Sequence, residues 1–196
     1  MFTGIIEELG TVIAIKQLGT SRRIEISAEK VLQELKVDDS IAVNGVCQTV
    51  VEMLSSSFEV ISVAETLSKT TLSSLTVGEK VNLERAATPL TRLGGHLVAG
   101  HIDGVAVVET IVPLDGSSEV YIRLPKQFVR YVIARGSIAV NGVSLTVAEK
   151  EGDLIKIAII PHTSELTTFG RLHEGDKVNI ELDQIAKMVE QLLLAR

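Results

Sequence analysis

The chain is written twice. Ser40-Ile-Ala-Val-Asn-Gly-Val-Cys-Gln-Thr-Val50 recurs as Ser137-Ile-Ala-Val-Asn-Gly-Val-Ser-Leu-Thr-Val147, an offset of 97 residues (40 to 137). The same offset carries Val77-Gly-Glu-Lys-Val-Asn-Leu-Glu84 onto Glu174-Gly-Asp-Lys-Val-Asn-Ile-Glu181, and nearly the same one carries Thr3-Gly4-Ile5 onto Ala99-Gly100-His101. Matches at the start, middle and end of each copy mean duplicated domains, since a period this long is not that of a solenoid. The expected division is residues 1–96 for the first domain, including a linker over 88–96, residues 97–184 for the second, and residues 185–196 for a tail.

Each copy reads as short strands with β-branched alternation, as in Thr11-Val-Ile-Ala-Ile, Phe58-Glu-Val-Ile-Ser-Val and Leu154-Ile-Lys-Ile-Ala-Ile-Ile. Asn44-Gly45 and Asn141-Gly142 sit between apolar runs and predict two-residue hairpins, because both residues accept positive φ. About six strands per copy, short and antiparallel, favour closure into a small barrel that leaves no exposed edge. Brief helices are expected over 28–35, 65–75, 125–133 and 163–172. The tail differs in kind. Ile185, Met188, Val189, Leu192 and Leu193 form one apolar stripe at helical spacing. It predicts a helix that either folds back on its own barrel or bundles between subunits.

Composition narrows the function classes. Apolar residues at 45% and charged residues at 22% are those of a folded globular chain. A net charge of −6 without any cluster of Lys and Arg excludes a nucleic-acid footprint. No apolar run approaches the roughly 20 residues that cross a bilayer. A single cysteine allows no intrachain disulfide, and the opening residues lack signal-peptide character, so a cytoplasmic location is expected. No GxGxxG, P-loop, HExxH or GxSxG motif is present.

Several side chains invite chemistry. Cys47 lies just beyond the first Asn-Gly turn, where the second copy has Ser144; it reads either as a nucleophile or as a small buried hydrophobe. His96 and His101 near the repeat junction suggest a metal, but no Cys or carboxylate cluster completes a ligand set, so hydrogen bonding is the better reading. Ser40 with Ser137, Thr49 with Thr146 and Thr66 with Thr163 are paired hydroxyls that could hold one polar heterocycle per copy. With aromatic residues at 3%, a flat ring would be held by aliphatic groups and backbone.

Met1-Phe-Thr-Gly-Ile-Ile-Glu7, Asn44-Gly-Val-Cys-Gln-Thr-Val50, Glu84-Arg-Ala86, Gly94-Gly-His-Leu-Val-Ala-Gly-His101 and Gly142-Val-Ser-Leu-Thr-Val147 together resemble riboflavin synthase over essentially the whole chain. The resemblance implies an all-β chain of two tandem six-stranded Greek-key barrels with short helices, and a C-terminal helix that drives a homotrimer. It also implies no cofactor, no metal, and a site between barrel one of one subunit and barrel two of another. There two 6,7-dimethyl-8-ribityllumazine molecules would dismutate to riboflavin and a pyrimidinedione. An association with lumazine synthase is left open.

Carried over by position, Ser40, Cys47, His101 and Asn141 would be catalytic, with Cys47 adding to the electrophilic ring carbon or helping water do so. Contacts in the first barrel would come from Gly4, Ile5, Ile6, Gln48, Thr49, Ile61, Ser62, Val63, Ala64, Glu65 and Thr66. Those in the second would come from Gly100, Ile102, Arg135, Ser144, Leu145, Thr146, Ile160, Pro161, His162, Thr163, Ser164 and Glu165. The family pattern has Asp where this chain has Asn141. An amide cannot take a proton near neutral pH, so His101 or a water would have to substitute. The competing reading is a non-catalytic lumazine or flavin carrier built on the same fold.

Overall fold

The computed structural model describes residues 1–194. β1 (Glu8–Leu18), β2 (Ser21–Ser27), β3 (Ser40–Val43), β4 (Val46–Met53), β5 (Ser57–Ser62) and β6 (Lys80–Arg85) form the first barrel, with α1 (Ala64–Lys69) between β5 and β6. The second repeats it with β7 (Gly104–Leu114), β8 (Ser117–Arg123), β9 (Ser137–Val140), β10 (Val143–Glu151), β11 (Leu154–Ile159) and β12 (Lys177–Leu182), with α2 (Pro161–Leu166) before β12. Each sheet closes on itself, in the order β1-β2-β5-β4-β3-β6 and its counterpart, every pair antiparallel. The jump from β2 to β3 across β5 and β4 is the Greek-key connection.

The alternating β-branched residues point their apolar faces inward. Val12, Ile24, Ile26, Ile41, Val50 and Val60 fill the first barrel, and Val108, Ile122, Ile138, Val147, Ile155 and Ile157 the second. Register shifts at Val12/Ala14 and Val50/Glu52, matched at Val108/Thr110 and Val147/Glu149, mark bulges that bend the strands enough to close so small a barrel.

The two barrels meet along a seam of four asparagines with two-fold pseudo-symmetry. Asn44 and Asn141, both at φ 46°, form the hairpin turns, and their side-chain oxygens accept the N–H groups of Asn82 and Asn179 at 2.8 Å. Asn82 then crosses the seam. Its amide donates to Asn141 O at 2.9 Å, and its oxygen accepts from Thr168 N at 2.7 Å. Asn179 does the reverse, donating to Asn44 O and accepting from Thr71 N.

That demand shortens the expected helices. Instead of one helix over 65–75, α1 stops at Lys69, Thr70 is extended at φ −130°, and a 3-10 turn follows over Thr71–Ser73. The Thr71 N–H goes to Asn179 rather than to a carbonyl four residues back. The expected helix over 163–172 breaks identically at Thr167, because Thr168 N–H serves Asn82. Over 28–35 only Val31–Gln33 turns, since Glu8 takes the N–H groups of Glu29 and Val31. Over 125–133 a 3-10 run spans Lys126–Tyr131, with the carbonyls of Val129 and Val132 held by Lys150 Nζ.

α3 (Gln184–Leu194) follows β12, with Ile185 N–H on the Asp183 carboxylate. Its polar side is tied to the second barrel: Lys187 pairs with Asp103 at 2.9 Å, and Glu190 meets Arg130 and the Tyr131 hydroxyl. The helix thus lies on its own barrel through polar contacts, while its apolar stripe faces away, Met188 and Leu192 being 62% and 71% exposed. Residues 195–196 of the expected tail lie outside the described residues.

Asn82→Ala tests the seam. It strips a partner from the buried Thr168 N–H and from Asn141 O, and should cost about 2–6 kcal/mol, roughly one to three for each orphaned group. Urea unfolding would read it; a change below about 0.5 kcal/mol would show that water replaces the amide.

Candidate active site

The chemistry-bearing residues lie on the outer surface of each barrel. On the β3–β4 ladder Ser40 pairs with Thr49 and Ala42 with Cys47. Alternation puts all four side chains on one face, opposite Ile41, Val43, Val46 and Val50 in the core. Extending the β4–β5 register from Val50↔Val60 brings Ile61 and Val63 onto the same face, where they are 36% and 52% exposed. The result is a platform of one thiol, two hydroxyls and aliphatic walls, with Ala42 buried against Phe2 and Val98 and Cys47 packed beside them. The second barrel repeats it with Ser137, Ala139, Ser144, Thr146 and the exposed Ile160.

The segments leading into each barrel cross to the other one. Gly4 O accepts from Ser144 N at 2.8 Å, and Ile6 packs on the second barrel's core. Gly100 O accepts from Cys47 N at 2.8 Å, and Ile102 packs on the first. Between them Phe2 and Val98 form a short antiparallel bridge. Gly4 and Gly100 have φ of 77° and 81°, and a Cβ on either would stand 2.5 or 2.6 Å from the Cβ of Ser144 or Cys47, so only glycine lets the arms this close. The expected grouping is therefore corrected. Gly4, Ile5 and Ile6 belong with Ser144, Leu145 and Thr146, while Gly100, His101 and Ile102 belong with Cys47, Gln48 and Thr49.

Two buried carboxylates hold the arms. Glu84 accepts from Thr3 N, Thr3 Oγ1 and Gly4 N at 2.6, 2.8 and 3.0 Å. Glu181 accepts from Ala99, Gly100 and His101 N–H at 2.6, 2.8 and 3.1 Å. Burial pushes both carboxyls above the ordinary range, against the opposing pull of those N–H donors. Sequence reasoning missed this role for both, although the repeated Val-Asn-x-Glu segments placed a glutamate at the same point of each copy.

The remaining predicted residues divide. Gln48 and Ser62 are buried and bonded to each other, Ser62 Oγ donating to Gln48 Oε1 at 2.6 Å. Their counterparts, Leu145 and Ile159, belong to the second core. Ala64, Glu65, Pro161, His162 and Glu165 are exposed on α1 and α2, with Thr66, Thr163 and Ser164 half-buried. Arg135, at φ 66°, stands where the first copy has Asp38, and the His101 ring is exposed beside the arm over Cys47. Asn141 is committed to the seam, its oxygen to Asn179 N and its amide toward the Thr168 hydroxyl. Ser40 also opens onto a cavity of about 770 Å³ lined by Glu7, Arg85, Thr88 and Arg92, which sequence reasoning did not single out; Cys47 is not on its wall. Among the described residues no three His, Cys, Asp or Glu side chains converge in a metal-binding group.

Ser144 is further covered by the linker. His96 Nδ1 lies 2.7 Å from its hydroxyl, and His96 Nε2 is buried without a partner.

The lumazine binding domain family matches the chain twice, at residues 3–86 and 99–183. The riboflavin synthase of Photobacterium phosphoreum is 43% identical over 99% of this chain and 89% of its own length. That of Mycobacterium tuberculosis is 43% identical over 98% of each. The chain belongs to the riboflavin synthase family. Among solved structures, LumP complexed with riboflavin superimposes with a TM-score of 0.88 at 31% identity, covering 93% of this chain and 99% of that one. LumP complexed with 6,7-dimethyl-8-(1'-D-ribityl) lumazine gives 0.85 at the same identity and coverage. The riboflavin synthases quoted are thus nearer in sequence than LumP.

Desolvation lowers the His96 pKa from its ordinary 6.5. The unfolded chain therefore binds that proton more tightly, and stability falls as pH drops through the unfolded value toward the folded one. Between about pH 7.5 and 5.5 the protein should lose more unfolding free energy than His96→Gln does. Parallel pH profiles for the two would show that His96 is not buried neutral.

Proposed function

We propose that this chain is a riboflavin synthase, transferring a four-carbon unit between two molecules of 6,7-dimethyl-8-ribityllumazine to give riboflavin and 5-amino-6-ribitylamino-pyrimidinedione. The atoms of two reactants sum to those of the two products, so no external oxidant or reductant is required. The observation that carries this reading is one scaffold built twice with a single thiol. Two copies of the same molecule need two like platforms, but one must give and the other receive. Cys47 faces one platform and Ser144 the other.

The platform around Cys47 takes the acceptor. Its thiol adds to the electrophilic ring carbon or directs water there, with Ser40 on the same face two ladder positions away. Gly100, His101 and Ile102 close that platform from one side, and the backbone around Thr49 and residues 61–66 from the other. The second platform takes the donor between Gly4–Ile6 and Ser144, Leu145 and Thr146, with Arg135 and residues 160–165 at its edge. Asn141, held in the seam, is left out of the reacting set. Holding both rings in register converts an encounter in solution into a positioned reaction, worth several kcal/mol of barrier.

Both platforms carry aliphatic groups that one chain leaves exposed, Ile61 and Val63 on the first and Ile160 on the second. The barrel-one platform of one subunit therefore meets the barrel-two platform of another in a homotrimer gathered by the exposed stripe of α3. Among the described residues no helix is long and apolar enough to cross a membrane. A working free thiol suits the reducing cytoplasm.

Incubating metal-free protein with 6,7-dimethyl-8-ribityllumazine should yield riboflavin by absorbance, and Cys47→Ser should slow it by about tenfold or more. Binding without product in either form would make the chain a carrier instead.

Truncation after Asp183 should lower the sedimentation mass from trimer to monomer and abolish turnover while each barrel stays folded. An unchanged mass would remove α3 from assembly.

A further inference from the structure

The two arm-holding glutamates lie away from the reacting set, yet each governs a different platform. Glu181 belongs to the second barrel but holds the arm that covers Cys47 in the first. Glu84 belongs to the first barrel but holds the arm that covers Ser144 in the second. Both are under 5% exposed, and each satisfies three donors of its arm. The arms carry no other bonds of comparable number. Outside the clamps each is fixed by one hydrogen bond to the platform it covers and by the Phe2–Val98 bridge, with Ala87 N–H on Met1 O for the first arm and His96 on the Ser144 hydroxyl at the start of the second.

We propose that Glu181 and Glu84 are positioning residues with crossed, separable duties: Glu181 sets the acceptor platform around Cys47, and Glu84 sets the donor platform around Ser144. The division rests on the functional reading above, but the underlying geometry, one carboxylate per arm and one arm per platform, does not. A glutamine keeps the shape and loses half the acceptor capacity, turning an N–H toward the arm's own N–H groups. The arm should then lift, exposing the residue beneath it.

Cys47 is the chain's only thiol, so its alkylation by iodoacetamide reports on one platform alone. In ligand-free protein Glu181→Gln should speed that alkylation by about tenfold, and Glu84→Gln by less than about twofold. Saturating riboflavin should protect Cys47 in the parent protein and in Glu84→Gln but poorly in Glu181→Gln. In turnover, Glu84→Gln should raise KM with the thiol still shielded, a split that general loosening would not produce. Glu181→Asp and Glu84→Asp, which keep the charge, serve as the pair if either glutamine form fails to fold by circular dichroism. Equal alkylation rates in the two variants overturn the proposal. Absence of riboflavin protection in the parent protein overturns the functional reading instead, and leaves the ligand-free comparison to decide this one.

Discussion

A closed barrel satisfies most of its own backbone and offers little to a chain segment lying across its outside: each arm here receives one platform N–H, from Ser144 or Cys47. Residues 1–6 and 96–102 nevertheless lie against barrel surfaces, and the N–H groups of Thr3, Gly4, Ala99, Gly100 and His101 find their acceptors in Glu84 and Glu181. Everything that makes the surface a candidate site depends on those two carboxylates. They bring Gly4 and Gly100 to within hydrogen-bond reach of Ser144 and Cys47. Each arm, held by the glutamate of its own barrel, reaches across to the opposite one, so neither platform is complete without both halves of the chain. The four seam asparagines do the complementary job, locking the hairpin tips so closely that Gly45 and Gly142 leave no room for a Cβ.

On this symmetric frame the platforms differ where symmetry would be a handicap. Position for position, a thiol faces a hydroxyl at Cys47 and Ser144, an acid faces a base at Asp38 and Arg135, and a hydrogen-bonded Gln48–Ser62 pair is replaced by the aliphatic Leu145 and Ile159. The linker adds a further difference, because His96 covers Ser144. Two identical heterocycles meeting such surfaces would be held by similar backbone and polarised by different side chains. That suits a reaction in which like molecules take unlike parts.

The barrels were legible because their signals are local. The offset of 97, the Asn-Gly turns and the β-branched alternation each need only a few neighbouring residues, and Cys47, Ser144 and the arm motifs could be located on them. The helices were overestimated for a non-local reason: Thr71 and Thr168 give their N–H groups to asparagines more than 80 positions away, which no periodicity reveals. The arm exchange was missed for the same cause. Sequence order places Gly4 with the first barrel and Gly100 with the second, and only the cross-seam bonds show the reverse. The burial of Glu84 and Glu181 has the same non-local cause, since it comes from the arms that lie over them.

The tail completes the same logic of surfaces left unfinished by one chain. α3 is oriented by polar contacts, Lys187 to Asp103 and Glu190 to Arg130 and Tyr131, so its apolar stripe is held outward. Asp103 is bound at the same time to Leu182 N–H at the end of β12, the strand that carries Glu181. The helix, the strand and the arm clamp are thus joined through one carboxylate on the segment that carries Gly100 and His101. If α3 gathers against its copies as proposed, the pull would reach the element that sets the cover over Cys47, which would tie the geometry of the thiol platform to that subunit contact.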